Sequence, residues 1–258
     1  MIVDPTDSDT LYVLDGPQVL RSLDFGETWN PLSLFALDTL RGISIAPSGG
    51  SILVHSFGEV YHSADDGANW SIAATETVID SIQYAPSDAN VAYFGSINGV
   101  WRSANGGVSF TDPGPYDEWT QALTVDPTDP NTVYTGTPFD GVFRSLDGGA
   151  TFTSIGFVGF EFNAEFFRYE PDGSRLWFAT LSALFFSTDG GDNWSPASSG
   201  FPVQPPIPLD LTFDSDGNRL LGTESGSLGT SAGGGLYRMA SGGTDWEHVA
   251  FDDVGVLD

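Results

Sequence analysis

The sequence has no cysteine and no lysine. Without cysteine there is neither a disulfide framework nor a thiolate metal site. A chain of 258 residues can bury enough apolar surface to do without such staples. Only two methionines occur, and strong helix formers are scarce. No basic segment followed by a long apolar run comes after Met1, so neither a secretory leader nor a membrane span is expected within the chain. All eight basic residues are arginine, against 35 acids, and the formal net charge is −27. That field repels nucleic acid and anionic bilayers, which excludes both as general partners. Abundant aspartate with no lysine and an ordinary hydrophobic content of 40% is the composition expected in molar salt. There, cations screen the self-repulsion of the surface. The expected setting is therefore a halophile cytoplasm, cell surface or virion.

What the sequence does contain is glycine, aromatic residues and a repeat. Gly numbers 32 and aromatics make up 13%, a balance that favours twisted strands and tight turns. Six segments align: RSLDFGETW (21–29), HSADDGANW (62–70), RSANGGVSF (102–110), RSLDGGATF (144–152), FSTDGGDNW (186–194) and RMASGGTDW (238–246). The residues at the serine position are Ser22, Ser63, Ser103, Ser145, Ser187 and Met239, spaced 41, 40, 42, 42 and 52 apart. A period near forty is that of a four-stranded propeller blade. Each repeat also carries an earlier hairpin rich in Pro, Asp and Asn, such as Asp126 to Tyr134, whose turn residues preset φ and bond locally to the backbone. Each unit therefore reads inner strand, hairpin, second strand, short loop, third strand, repeated turn segment, outer strand.

The six segments resemble the Asp-box (bacterial neuraminidase) repeat, S-x-D-x-G-x-T-W, in five clear copies and one worn copy. The sixth has Met239 and Ser241 in place of Ser and Asp. The resemblance covers almost the whole chain. It implies an all-β, six-bladed β-propeller of four-stranded antiparallel blades, with repeats at approximately 1–39, 40–78, 79–119, 120–161, 162–207 and 208–258 in one domain. It is specific for fold and weak for function, since sialidases, xyloglucan-cleaving hydrolases, sortilin-type receptors and photosystem assembly factors share it. The resemblance places the box turn between third and fourth strands, on the face opposite the usual ligand site. Ser22, Asp24, Trp29, Ser63, Asp65, Trp70, Ser103, Ser145, Asp147, Ser187, Asp189 and Trp194 are accordingly expected to be structural. The tail Asp253–Asp258 is expected to dock near Ile2-Val3 and close the ring.

Function is then expected where the repeat breaks down. The crossing from Asp112 to Trp119 carries Tyr116, Asp117, Glu118 and Trp119, and Phe139-Asp140 lies in the same neighbourhood. Residues 157–167 supply several Phe around Glu161 and Glu165, and residues 225–235 form a Gly/Ser-rich insertion, the only segment resembling a mobile lid. Aromatic platforms beside carboxylates suit sugar stacking or a protein hot spot. The candidate partner-binding residues are Tyr116, Glu118, Trp119, Phe139, Asp140, Phe160 and Glu161. Tyr116 and Trp119, flanked by prolines and acids, are expected to be exposed. Phe160, Phe162, Phe166 and Phe167 are expected mostly to pack between blades.

No catalytic set emerges. A sialidase needs an Arg cluster and a Tyr/Glu pair. Arg21, Arg102, Arg144 and Arg238 occupy the repeated position before the box, Arg175 and Arg219 fall in hairpins, and only Arg41 and Arg168 lie on or near inner strands. The Arg-Ile-Pro signature of that family is missing. A glycoside hydrolase using two carboxylates in the central funnel is the rival reading, drawing on Asp38, Asp80, Asp117, Glu118, Asp140, Glu161, Glu165 and Asp210, none of which stands out. His55, His62 and His248 fall on different strands, and Asp214-Ser215-Asp216-Gly217-Asn218 lacks the distal Glu of a calcium loop, so no metal or other cofactor is expected. The sequence therefore points to a non-enzymatic propeller that binds a protein or glycan, as one subunit of a larger surface or virion assembly.

Overall fold

The computed structural model describes residues 1–34, 38–112, 114, 116–156, 164–201, 207–224 and 235–249. The fold is an all-β six-bladed β-propeller, with antiparallel strands that follow one another in sequence order within each blade. Blade 1 spans Ile2–Leu34, blade 2 Gly42–Thr75, blade 3 Ile79–Ser103, blade 4 Ala122–Gly156, blade 5 Ala164–Pro196 and blade 6 Ile207–Val249. Two compact units are present: residues Met1–Phe160 contain blades 1–4, and Glu161–Asp258 contain blades 5 and 6. Residues 253–258, for which ring closure was expected, and residues 225–234 of the 225–235 insertion lie outside the described residues.

Five blades have four strands. Blade 3 has three, and the place of its fourth strand is taken by a single bridge between Arg102 and Thr111. This departs from the four-stranded expectation. The sequence after Thr111 runs Asp-Pro-Gly-Pro, and proline has no amide to offer a continuing ladder.

Register repeats from blade to blade. The residue just before each box serine pairs with the aromatic or apolar residue in the middle of the second strand: Tyr12 with Arg21, Tyr93 with Arg102, Tyr134 with Arg144 and Trp177 with Phe186. The second strands of blades 2, 4 and 5 are buried along their whole length, as expected of strands covered on both faces. Within the first unit the core lies between consecutive blades. Val54 and Ile52 pack with Tyr12 and Val19, Phe94 and Tyr84 with Leu53 and Val60, and Val125 and Val133 with Tyr93 and Val100. In the second unit Trp177 and Trp246 meet edge to face at 6.2 Å among Leu211, Leu221 and Met239.

The box turns are built as the motif requires. Buried Ser22 Oγ donates to Asp24 Oδ1 at 2.7 Å and accepts the Gly26 amide at 2.8 Å. Asp24 accepts the Thr28 amide at 2.8 Å, and Trp29 Nε1 donates to the Gly26 carbonyl at 3.0 Å. Ser63, Ser103, Ser145 and Ser187 repeat the amide bond at 2.8–2.9 Å. These bonds, with the Thr28 and Asn193 side chains foremost, hold Asp24 and Asp189 down to a pKa of about 2. Blade 6, whose box is worn, uses another device. Arg219 donates to the Ala240 carbonyl at 3.1 Å and pairs with Glu170 at 2.7 Å, while Asn218 Oδ1 accepts the Ser241 amide at 3.0 Å.

Candidate functional site

An antiparallel four-stranded blade places its second-to-third-strand loop and its crossing to the next blade at one end, opposite the box turns. Those loops share a construction. A buried hydroxyl at the end of the second strand accepts a backbone amide from across the loop: Ser56 from Glu59 at 3.2 Å, Ser96 from Asn98 at 3.1 Å and Thr137 from Asp140 at 2.8 Å. With the backbone pinned from below, the residue at the tip is turned outward. In blades 2, 3 and 4 that residue is apolar: Phe57 is 46% exposed, Ile97 36% and Phe139 52%. Leu181 occupies the matching loop position in the second unit and is likewise exposed, above the Thr180 hydroxyl that accepts the Ala183 amide at 3.0 Å.

In the first unit these loops and the crossings form one hydrogen-bonded surface. The Ile79 amide donates to the Phe57 carbonyl at 2.9 Å, the Ile97 amide to Val78 at 3.1 Å and the Thr120 amide to Ser96 at 2.9 Å. Asn98 Nδ2 donates to Glu76 Oε1 at 2.7 Å, across the boundary between blades 2 and 3. Gly99 is required here. It adopts φ of 103°, and a Cβ would lie 1.8 Å from the Tyr116 carbonyl oxygen, so the crossing into blade 4 presses directly on the blade 3 loop.

Trp119 sits at the centre of this surface, 37% exposed. Its Nε1 donates to Asp80 Oδ2 at 2.6 Å, and its ring meets Phe139 edge to face at 6.4 Å. Beside it, the Glu118 and Asp140 carboxyls are within hydrogen-bonding reach of each other. Partial burial and then the Asp140 charge push the Glu118 carboxyl upward from its ordinary value. Arg41 stacks over Phe57 at 4.8 Å and adds a cation at the edge. Beneath the surface lies His55, whose Nδ1 is 3.0 Å from the Ser56 carbonyl.

Of the residues selected from the sequence, Glu118, Trp119, Phe139 and Asp140 come together here. Tyr116 does not join them as an exposed group. Its ring packs on Phe152 at 4.1 Å and Phe143 at 5.6 Å, and its hydroxyl bonds Thr135 at 3.1 Å. Burial pushes its phenol well above the ordinary value. The flanking prolines and acids concealed an apolar slot between the third and fourth strands of blade 4. Phe160, Glu161 and Phe162 lie outside the described residues. Phe166 and Phe167 are buried, Phe167 stacking on Phe178 at 4.9 Å. Asp210 pairs with Arg168 at 2.7 Å on an exposed surface of the second unit. Phe57, Ile97 and the Asp80–Trp119 bond were missed. The signal for the first two was available: each follows the Ser that closes the second strand, at the position Phe139 reaches one residue later.

Among the described residues, no three His, Asp or Glu side chains cluster to hold a metal ion. No helix among them is long and apolar enough to cross a membrane.

Residues 185–196 match the BNR/Asp-box repeat family. No curated protein sequence matches the chain. Solved structures of similar fold include the GH74 xyloglucanase from Xanthomonas campestris, with a TM-score of 0.80 at 13% identity over 98% of this chain and 45% of that one. YCF48 from Cyanidioschyzon merolae is similar with a TM-score of 0.71 at 16% identity, over 96% of this chain and 83% of that one. A structure of YCF48 bound to D1 peptide gives 0.66 at 15%, over 94% and 78%. The chain spans 38–45% of the length of the GH74 proteins it resembles.

Proposed function

Taking the chain as an Asp-box β-propeller, we propose that it is a non-enzymatic binding module whose Trp119 surface receives a protein or glycan partner. The observation that carries this reading is the grouping of an exposed Trp119 with Phe139, Asp80, Glu118 and Asp140, held by a 2.6 Å indole–carboxylate bond. An aromatic ring fixed at its polar end presents a flat apolar surface at little entropic cost, as binding hot spots do. Resemblance to a YCF48 structure that carries a bound peptide is in keeping with a protein partner.

The rival is a glycoside hydrolase, for which the resemblance to GH74 enzymes speaks. Retaining hydrolysis uses carboxyls about 5 Å apart, and inverting hydrolysis needs more room for a water. Glu118 and Asp140 are instead close enough to hydrogen-bond. Two carboxyls at that range leave no room for a glycosidic bond between them.

The test combines binding and turnover in molar salt. A panel of oligosaccharides, xyloglucan fragments included, and of synthetic peptides is titrated against the protein while reducing ends are assayed in parallel. The expected result is binding without turnover, weakened about tenfold or more in a Trp119→Ala/Phe139→Ala variant. Hydrolysis abolished by Glu118→Gln would overturn the reading.

A further inference from the structure

The same surface carries an alternation along the chain's blades. Within blades 2, 3 and 4 the tip residue is apolar: Phe57, then Ile97, then Phe139. The residues in and just after the crossings between these blades supply carboxylates: Glu76 and Asp80 between Phe57 and Ile97, then Glu118 between Ile97 and Phe139. The hydrogen bonds from Asn98 to Glu76 and from Trp119 to Asp80 tie the crossings on either side of blade 3 to that blade. Apolar and anionic groups therefore succeed one another from blade to blade. Arg41, just ahead of blade 2 and stacked on Phe57, is the single arginine on these loops and on the crossings that lead into blades 2, 3 and 4.

An extended segment sends successive side chains to opposite sides, so one that lies edge-on along the surface can give one row to apolar subsites and the other row to anionic ones. On a chain of net charge −27 the complementary partner is cationic. Resting on the binding reading above, we propose that the occupant of this surface is an extended segment of another protein in which apolar residues alternate with arginine or lysine. The apolar residues cover Phe57, Ile97 and Phe139, and the basic ones reach Glu76, Asp80 and Glu118. A pyranose chain would use the rings and the acids, but it would gain nothing from their net charge. A cationic segment gains from both.

The probe is a labelled, blocked dodecapeptide alternating Arg and Leu, compared with Arg–Ser and Gln–Leu dodecapeptides by fluorescence anisotropy at 0.15 M and 1 M salt. The Arg–Leu peptide is expected to bind at least tenfold more tightly than either other peptide. Phe57→Ser/Phe139→Ser is expected to weaken it at least tenfold, and Glu76→Gln/Glu118→Gln by about tenfold. All four side chains are at or near the surface, so the fold should tolerate these changes. A control, Asp9→Asn/Glu27→Gln, removes the same charge from the box-turn end of blade 1 and should change affinity less than twofold. Equal weakening by the control and by Glu76→Gln/Glu118→Gln would reduce the attraction to net charge and overturn the proposal. So would Arg–Ser binding as tightly as Arg–Leu. If an oligosaccharide or the Gln–Leu peptide binds in a Trp119-dependent way while Arg–Leu does not, the partner class proposed here falls and the binding module stands.

Discussion

His55 couples this surface to acid in a way that can be measured. The imidazole is 1% exposed, at the end of the second strand of blade 2. Its Nδ1 donates to the Ser56 carbonyl at 3.0 Å, which leaves Nε2 as the unprotonated nitrogen. Nε2 is turned against Gly42, where a Cβ would come within 2.4 Å of it. Burial is the main force holding the ring neutral. The bond to Ser56 and the Asp80 carboxylate favour the charged form, Arg41 opposes it, and the balance pulls the pKa down from 6.5 to about 4. Between those values the unfolded chain binds a proton that the folded chain refuses. Folding stability is therefore complete above pH 6.5 and falls as pH drops toward 4. At 1.36 kcal/mol per pKa unit the loss between pH 7 and pH 4.5 is about 2.5 kcal/mol. For a chain of this size that corresponds to roughly 5–10 °C in Tm.

The measurement is a pair of thermal melts at pH 7 and pH 4.5, at fixed molar salt, on the protein and on His55→Gln. Glutamine keeps a donor for the Ser56 carbonyl and cannot take up a proton. The variant should lack this decrement of about 2.5 kcal/mol, whatever its stability at pH 7. The box aspartates do not blur the window. Asp24 and Asp189 titrate near 2, so their contribution is present above their unfolded value and is lost only as pH falls below about 4. Equal acid losses in the two proteins would refute the argument, because they would mean that His55 is charged in the folded state or exposed.

Three other perturbations follow from particular contacts. Phe25 stands at φ of 59°, 71% exposed, where the boxes of blades 3, 4 and 5 have Gly106, Gly148 and Gly190. Asparagine tolerates that conformation better, so Phe25→Asn should raise stability by about 1 kcal/mol in a denaturant melt. Arg219→Leu should cost about 2 kcal/mol in the same assay, since it strips the mostly buried Glu170 of its 2.7 Å partner, leaving Arg175 at 3.7 Å and the Trp177 indole, and removes one of the two donors to the Ala240 carbonyl in the blade whose box is worn. The composition proposes a halophilic source: melting temperature should climb steeply between 0.1 M and 3 M salt as the net charge of −27 is screened, and identical melts would sink that idea.

Period, box and strand alternation are local properties, and the sequence by itself determined them. A serine that must accept an amide four residues on, an aspartate or asparagine two residues later and a glycine at positive φ leave one turn geometry open. Five such turns at a forty-residue spacing leave one architecture. The worn sixth box was equally visible, but its replacement by Arg219, Asn218 and Glu170 was not, because those groups lie on other strands and in another blade. The partner surface divides in the same way. Glu118, Trp119, Phe139 and Asp140 were legible as residues that escape the repeat. That Tyr116 turns inward while Trp119 stays out was decided by packing: the slot formed by Phe143, Phe152 and Thr135 accepts one ring from the crossing, and the crossing's path over Gly99 determines which. Phe57 and Ile97 belong with Trp119 only because consecutive crossings hydrogen-bond loops some forty residues apart. Sequence periodicity assigns a side chain to a strand or a turn, whereas tertiary contact alone assigns it neighbours.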